Sequence, residues 1–174
     1  IVGYRKNVVR KNLTTAFPDK DEKEIVSIEK GYYHWLCDYF VEALKLLSVS
    51  DKTLLKHIEF RNVEELEQHY DRGQTCAAIL GHYCNWELLS ATGLAFKRHK
   101  NAVCGLIYHP LRSDIFDELF KDIRQSKGGV CVPKRDILRY LVTYKREKRM
   151  WLFGYISDQS PKWSNIHLWL PFLN

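Results

Sequence analysis

Glycine and proline are scarce, nine and five in 174 residues, which argues against a disordered or fibrous chain. No apolar run reaches the roughly 18 residues that a membrane-spanning helix needs, and no signal peptide opens the sequence. Cys-x-x-Cys pairs are absent. The five cysteines, at 37, 76, 84, 104 and 131, are odd in number, scattered, and mostly inside apolar runs. They read as reduced core residues of an intracellular or cytoplasm-facing protein, which excludes a disulfide framework. The Gly-x-Ser-x-Gly elbow of a serine hydrolase is missing. So is a phosphate-cradling glycine-rich loop, since Gly128-Gly129 is an isolated pair. His82, Cys84 and Cys76 lack the ligand spacing of a zinc site, so neither metal nor cofactor is expected.

What is present describes a folded chain of mixed class. Hydrophobic residues make up 45% and charged residues 28%, and the length suits one compact domain spanning 1–174. Lys and Arg outnumber Asp and Glu by 27 to 21, a net charge of +6 that favours an acidic partner such as anionic lipid, a phosphorylated substrate, an acidic carrier protein or nucleic acid. Apolar strands are expected at 75–80, 102–108, 130–132 and 151–156, with a further one at 58–61. Helices are expected at 4–13, from a cap at Asp19 with Glu22 three residues on, at 62–72 ending at Gly73, at 88–96, at 113–125 and at 134–147. The helix beginning near Glu22 carries Ile25, Ile28, Tyr32, Trp35 and Tyr39 at three- and four-residue steps, an apolar face suited to packing against a sheet. Strands apolar throughout, alternating with helices, predict an α/β fold with a mostly parallel central sheet covered by helices on both faces.

The chemistry-bearing residues gather where strands end. Gly81-His82-Tyr83-Cys84-Asn85-Trp86-Glu87 follows the first long strand. A histidine there can take a proton from a bound hydroxyl, and a nearby carboxylate can hold its tautomer and stabilise its charged form. Five positions on a continuous helix place side chains about 140° apart, so a His82–Glu87 pair requires the bend that Gly81 allows. Alternatively His82 is a structural histidine and Glu87 a first-turn carboxylate favoured by the helix dipole. His109 lies past the second strand and Asp158 past the fourth, where open α/β sheets place ligands, and Arg124 lies before the third strand.

The Gly81–Glu87 stretch resembles the His-x₄-Glu signature, typically Gly-His-x-x-Asn-Trp-Glu, of the lipid A late acyltransferases of Gram-negative bacteria, the lauroyl and myristoyl transferases. The opening Tyr4-Arg5-Lys6-Asn7-Val8-Val9-Arg10-Lys11-Asn12-Leu13 with Ala16-Phe17-Pro18 resembles that family's segment after its membrane anchor. Ile107-Tyr108-His109-Pro110-Leu111 resembles its Tyr-Arg-Pro element, with His109 where arginine is usual. Arg124 falls where the family carries an arginine. Asp158-Gln159 and Leu170-Pro171-Phe172 resemble its Asp-Gln and Pro-Phe-Phe-Gly blocks, although here the last ends Leu173-Asn174. Five weak motifs in the right order cover essentially the whole chain.

The resemblance implies a glycerolipid-acyltransferase-like fold and acyl transfer from an acyl carrier protein thioester to a hydroxyl of a lipid A precursor or related anionic glycolipid. It further implies work at the cytoplasmic face of the bacterial inner membrane, without cofactor or nucleic acid. His82 would be the general base and Glu87 its orienting partner, with Asn85, Arg124, Asp158 and His109 as oxyanion or substrate-binding candidates. The start at Ile1 and the end at Asn174 suggest a segment lacking an N-terminal membrane anchor and C-terminal part. Two other readings are a coenzyme A-dependent transferase acting on a glycerophospholipid or aminolipid, and a non-catalytic module binding anionic lipid. Against the first stands Glu87, where that family usually has Asp, and the lack of a Phe-Pro-Glu-Gly-Thr-type block.

Overall fold

The computed structural model describes residues 3–159 and 163–169; Pro161 and the Leu170-Pro171-Phe172 block lie outside the described residues. The chain forms two compact units, residues 1–45 and 46–174.

The first unit is a pair of helices, α1 (Lys6–Ala16) and α2 (Glu22–Lys45). The buried Glu29 of α2 accepts from Arg10 Nε of α1, and the Tyr33 hydroxyl donates to the Tyr4 carbonyl at 2.7 Å. The start of α2 is two residues later than the sequence suggests. Asp21 is the cap, its carboxylate accepting from Glu24 N at 2.8 Å while Glu24 accepts from Asp21 N at 3.2 Å. Both patterns have the spacing of a reciprocal capping box, and only the second closes it. Tyr32, Trp35 and Tyr39 form a ladder of ring contacts along α2. Phe40, Val41 and Leu44 near its end remain exposed.

The second unit holds α3 (Asp51–Leu54), α4 (Val63–Asp71), α5 (Asp114–Gln125) and α6 (Ile137–Arg146), with strands β1 (Cys76–Leu80), β2 (Val103–Tyr108), β3 (Val130–Pro133) and β4 (Trp151–Ile156). Residues 58–61 form no strand, although they have the composition of one. All four strands are parallel, in the order β1-β4-β2-β3. β4 thus enters between β1 and β2, and the C-terminal ends of these four strands lie at one edge of the sheet.

Side chains alternate across the sheet, so its two faces have different cores. On one face Val103, Val132 and Phe153 pack with Ile137, Tyr140, Leu141 and Tyr144 of α6. On the other, Cys104 packs with Phe96, Val63 and Tyr70 of α4. This is the layered α/β arrangement that alternation predicts, with helices on both faces. The edge strand β1 is the exception, because Ile79 stands 71% exposed on its outer side. At Gly105 a Cβ would stand 2.0 Å from the buried Phe153 ring. Gly105→Ala is therefore expected to destabilise the fold by about 1–3 kcal/mol through overpacking, read as a lowered midpoint in thermal or urea unfolding.

Where an α-helix over 88–96 is expected, the chain winds as a 3-10 helix over Trp86–Ala95, ten residues long. Such runs rarely exceed three or four residues. Two side chains account for part of it. Ser90 Oγ donates to the Glu87 carbonyl and Thr92 Oγ1 to the Leu89 carbonyl, both at 2.7 Å, offering the i−3 carbonyls partners that compete with an α ladder.

Candidate active site

The strand register explains the site. Leu80 at the end of β1 pairs with Ile156 at the end of β4. Two residues beyond each stand His82 and Asp158, so residues 76 positions apart in sequence meet at adjacent strand ends. Asp158 uses both oxygens: Oδ2 accepts the His82 backbone N–H at 2.8 Å, and Oδ1 lies 2.7 Å from Nδ1 of the ring. Since a carboxylate only accepts, Nδ1 carries the proton, so that the neutral form of the ring has its lone pair on Nε2. The Trp86 ring meets the imidazole edge-on, centroids 4.8 Å apart. His82 and Asp158 side chains are one-third to two-fifths exposed, so the ring is held and still reachable.

The backbone N–H of His82, followed by its ring, holds the Asp158 carboxyl below the ordinary aspartate value of 3.8. A depressed carboxylate stabilises the fold fully above the unfolded pKa and loses that contribution as pH falls through the folded one. The Asp158 carboxyl is accordingly expected to titrate below 3.8 by NMR, and Asp158→Asn to flatten the acid limb of the stability profile only below that pH.

Glu87 does not take the place expected for it beside the imidazole. Its side chain is buried and its two oxygens accept from Arg124, Oε2 from Nε and Oε1 from Nη2, each at 2.7 Å. The reason is the winding of residues 86–95, which turns Glu87 toward α5 while His82 remains at the strand edge. Arg124 comes from the last turn of α5, which ends at Gln125, and Gly128 (φ +84°) follows in the turn toward β3. At Gly129 a Cβ would stand 2.5 Å from the Arg124 carbonyl, so the chain can turn back into β3 only with glycine there. The Gly128-Gly129 pair thus shapes the turn that carries the Arg124 strut into β3.

Asn85 caps the 3-10 segment, its Oδ1 accepting from Glu87 N at 3.2 Å. The preceding Cys84 has φ +49°, a strained value for a residue with a side chain, and Tyr83 N bonds the Gly81 carbonyl at 2.9 Å. The loop carrying His82 is therefore tightly folded. His109 is exposed at the end of β2, with Nδ1 donating to the Pro110 carbonyl at 2.9 Å. The structure thus joins His82 to Asp158 and Glu87 to Arg124, and places His109 on the next strand end without a contact to either pair.

An apolar cavity of about 50 Å³ lies between the sheet and the 3-10 segment, lined by Ala78, Leu80, Leu89, Thr92, Leu106 and Leu152 among others. It reaches Leu80, two residues before His82. Among the described residues no three His, Cys, Asp or Glu side chains converge as metal ligands would. Burial pushes the Cys104 and Cys131 thiols up to about 12 and about 11, which keeps them protonated.

A parallel sheet with a carboxylate-held imidazole at its C-terminal edge defines an α/β protein with a histidine where such folds bind ligands. Comparison makes this specific: residues 2–165 match the family model described as bacterial lipid A biosynthesis acyltransferase, and the chain belongs to that family. It is thereby placed among acyltransferases of lipid A biosynthesis. No curated protein matches the chain.

Proposed function

We propose that this domain transfers a fatty acyl group from an acyl carrier protein thioester to a hydroxyl of a lipid A precursor or related anionic glycolipid at the cytoplasmic face of the inner membrane. His82 is the general base. Its Nε2 takes the proton of the acceptor hydroxyl as that oxygen bonds to the thioester carbonyl carbon. When the C–S bond breaks, Nε2–H returns the proton to the leaving sulfur, giving ester and thiol. Asp158 fixes the tautomer and stabilises the imidazolium, the role first read for Glu87. Glu87 with Arg124 braces the wall behind the loop. Asn85 and His109 remain candidate donors to the oxyanion or the acceptor, whereas Arg124 has two donors committed to Glu87.

The observation that carries this reading is the His82–Asp158 pair at the sheet edge of a chain belonging to an acyltransferase family. The 50 Å³ cavity is far below the roughly 300–1,000 Å³ of ordinary ligand sites. For a fatty chain to lie in this cavity the 3-10 segment has to move off the sheet, and its poor hydrogen-bond geometry favours such movement. The test is a transfer assay with a lipid A precursor, offering acyl carrier protein and coenzyme A thioesters in parallel. Ester formation from the carrier thioester is the expected result; transfer from coenzyme A alone would point to the other donor class, and none from either would remove the enzymatic reading.

A further inference from the structure

Two basic clusters stand out in the sequence, at 97–100 and 134–149, and the structure treats them differently. In the first, Lys97 pairs with Glu64 at 2.6 Å, Arg98 with Asp71 at 2.9 Å, and His99 with Asp71 at 2.7 Å. The backbone N–H groups of these three residues all converge on Oε1 of the buried Glu67. That cluster is a neutralised structural anchor.

The second cluster keeps its charge. Lys134, Lys145 and Arg146 are exposed and make no ion pair among the described residues, and Arg135 and Arg139 share the single carboxylate of Asp136 at 3.6 Å. Within this field α6 shows two sides. Ile137, Tyr140, Leu141 and Tyr144 pack against the sheet. On the outer side Leu138 and Val142, one helical turn apart, are 74% and 68% exposed. An apolar step inside an uncompensated cationic ridge matches the acidic, partly apolar face of a protein helix.

We infer that the outer face of α6 is the docking surface for the acidic helix of the acyl donor's carrier protein, with Leu138 and Val142 as the apolar contact and Arg139 and Arg146 as the steering charges. This rests on the carrier-thioester reading above. The surface also suits the geometry of delivery. Residues 134–138 lie at the end of β3, on the same edge of the sheet as His82, so a flexible prosthetic arm has only the width of the sheet to cross.

The experiment measures binding and kinetics of the 174-residue chain with acyl-loaded acyl carrier protein. The variants are Arg139→Glu/Arg146→Glu and Leu138→Ser/Val142→Ser, with Lys97→Glu as the control in the neutralised cluster. Each α6 variant is expected to weaken carrier binding by about tenfold to thirtyfold, and to raise KM for the carrier thioester with kcat near wild type. Kinetics with a small-molecule acyl thioester should not change, which shows that the fold is intact. Added salt should weaken binding by the wild type more than by the charge-reversal variant. If the wild type uses the carrier thioester and the α6 variants bind it unchanged, the docking surface is wrong and the donor reading stands. If the wild type neither binds nor uses the carrier, both fall. Loss of binding to anionic phospholipid vesicles, with carrier binding intact, would reassign α6 to the membrane and overturn the proposal.

Discussion

Replacing His82 with alanine is expected to cut acyl transfer by about 10²–10⁴-fold, because the acceptor hydroxyl then loses the base that takes its proton. Asp158→Asn should come close behind, with a loss of about 10²-fold or more in kcat and little change in KM. The asparagine amide can donate toward Nδ1 and reverse the tautomer, turning the lone pair of the imidazole away from the substrate. Glu87→Gln separates the two assignments. Its oxygens are engaged by Arg124, so the variant should lose stability while keeping the pH profile of whatever turnover remains. Should Glu87→Gln instead abolish turnover at unchanged stability, with Asp158→Asn nearly fully active, the pairing proposed for catalysis would be wrong.

The second large effect concerns stability. Arg124→Ala leaves Glu87, only 1% exposed at its side chain, as a buried charge without its partner. Removing one member of a buried pair typically costs about 3–5 kcal/mol. For a chain of this length that corresponds to a fall of about 10 °C in Tm. Glu87→Leu combined with Arg124→Met should recover most of the loss, since apolar replacement of a whole buried pair is often neutral. Melting curves of the two single variants and the double variant decide it: additive losses would show that the pair is not the strut described.

These contrasts show which parts of the molecule the sequence makes legible. Alternating apolar strands and amphipathic helices are local patterns, and they lead to the α/β sheet with small errors at its margins. The apparent strand at 58–61 has no neighbour to pair with, and the capping box could be placed at Asp19 or Asp21 until the backbone chose. Glu87 was legible as a motif residue, but spacing does not say which way a side chain turns, and a 3-10 winding sends it to Arg124. The meeting of His82 with Asp158 depends on strand order, which no local window contains. One signal was available: both residues sit two positions beyond the ends of apolar strands, an equal offset that in-register neighbours would bring together.

Because β4 is inserted between β1 and β2, the carboxylate that sets the imidazole is synthesised only after β1, β2 and β3. A nascent or truncated chain ending before residue 158 carries the histidine with its ring unaligned. The His82–Asp158 pair therefore forms only once β4 has joined the sheet beside β1.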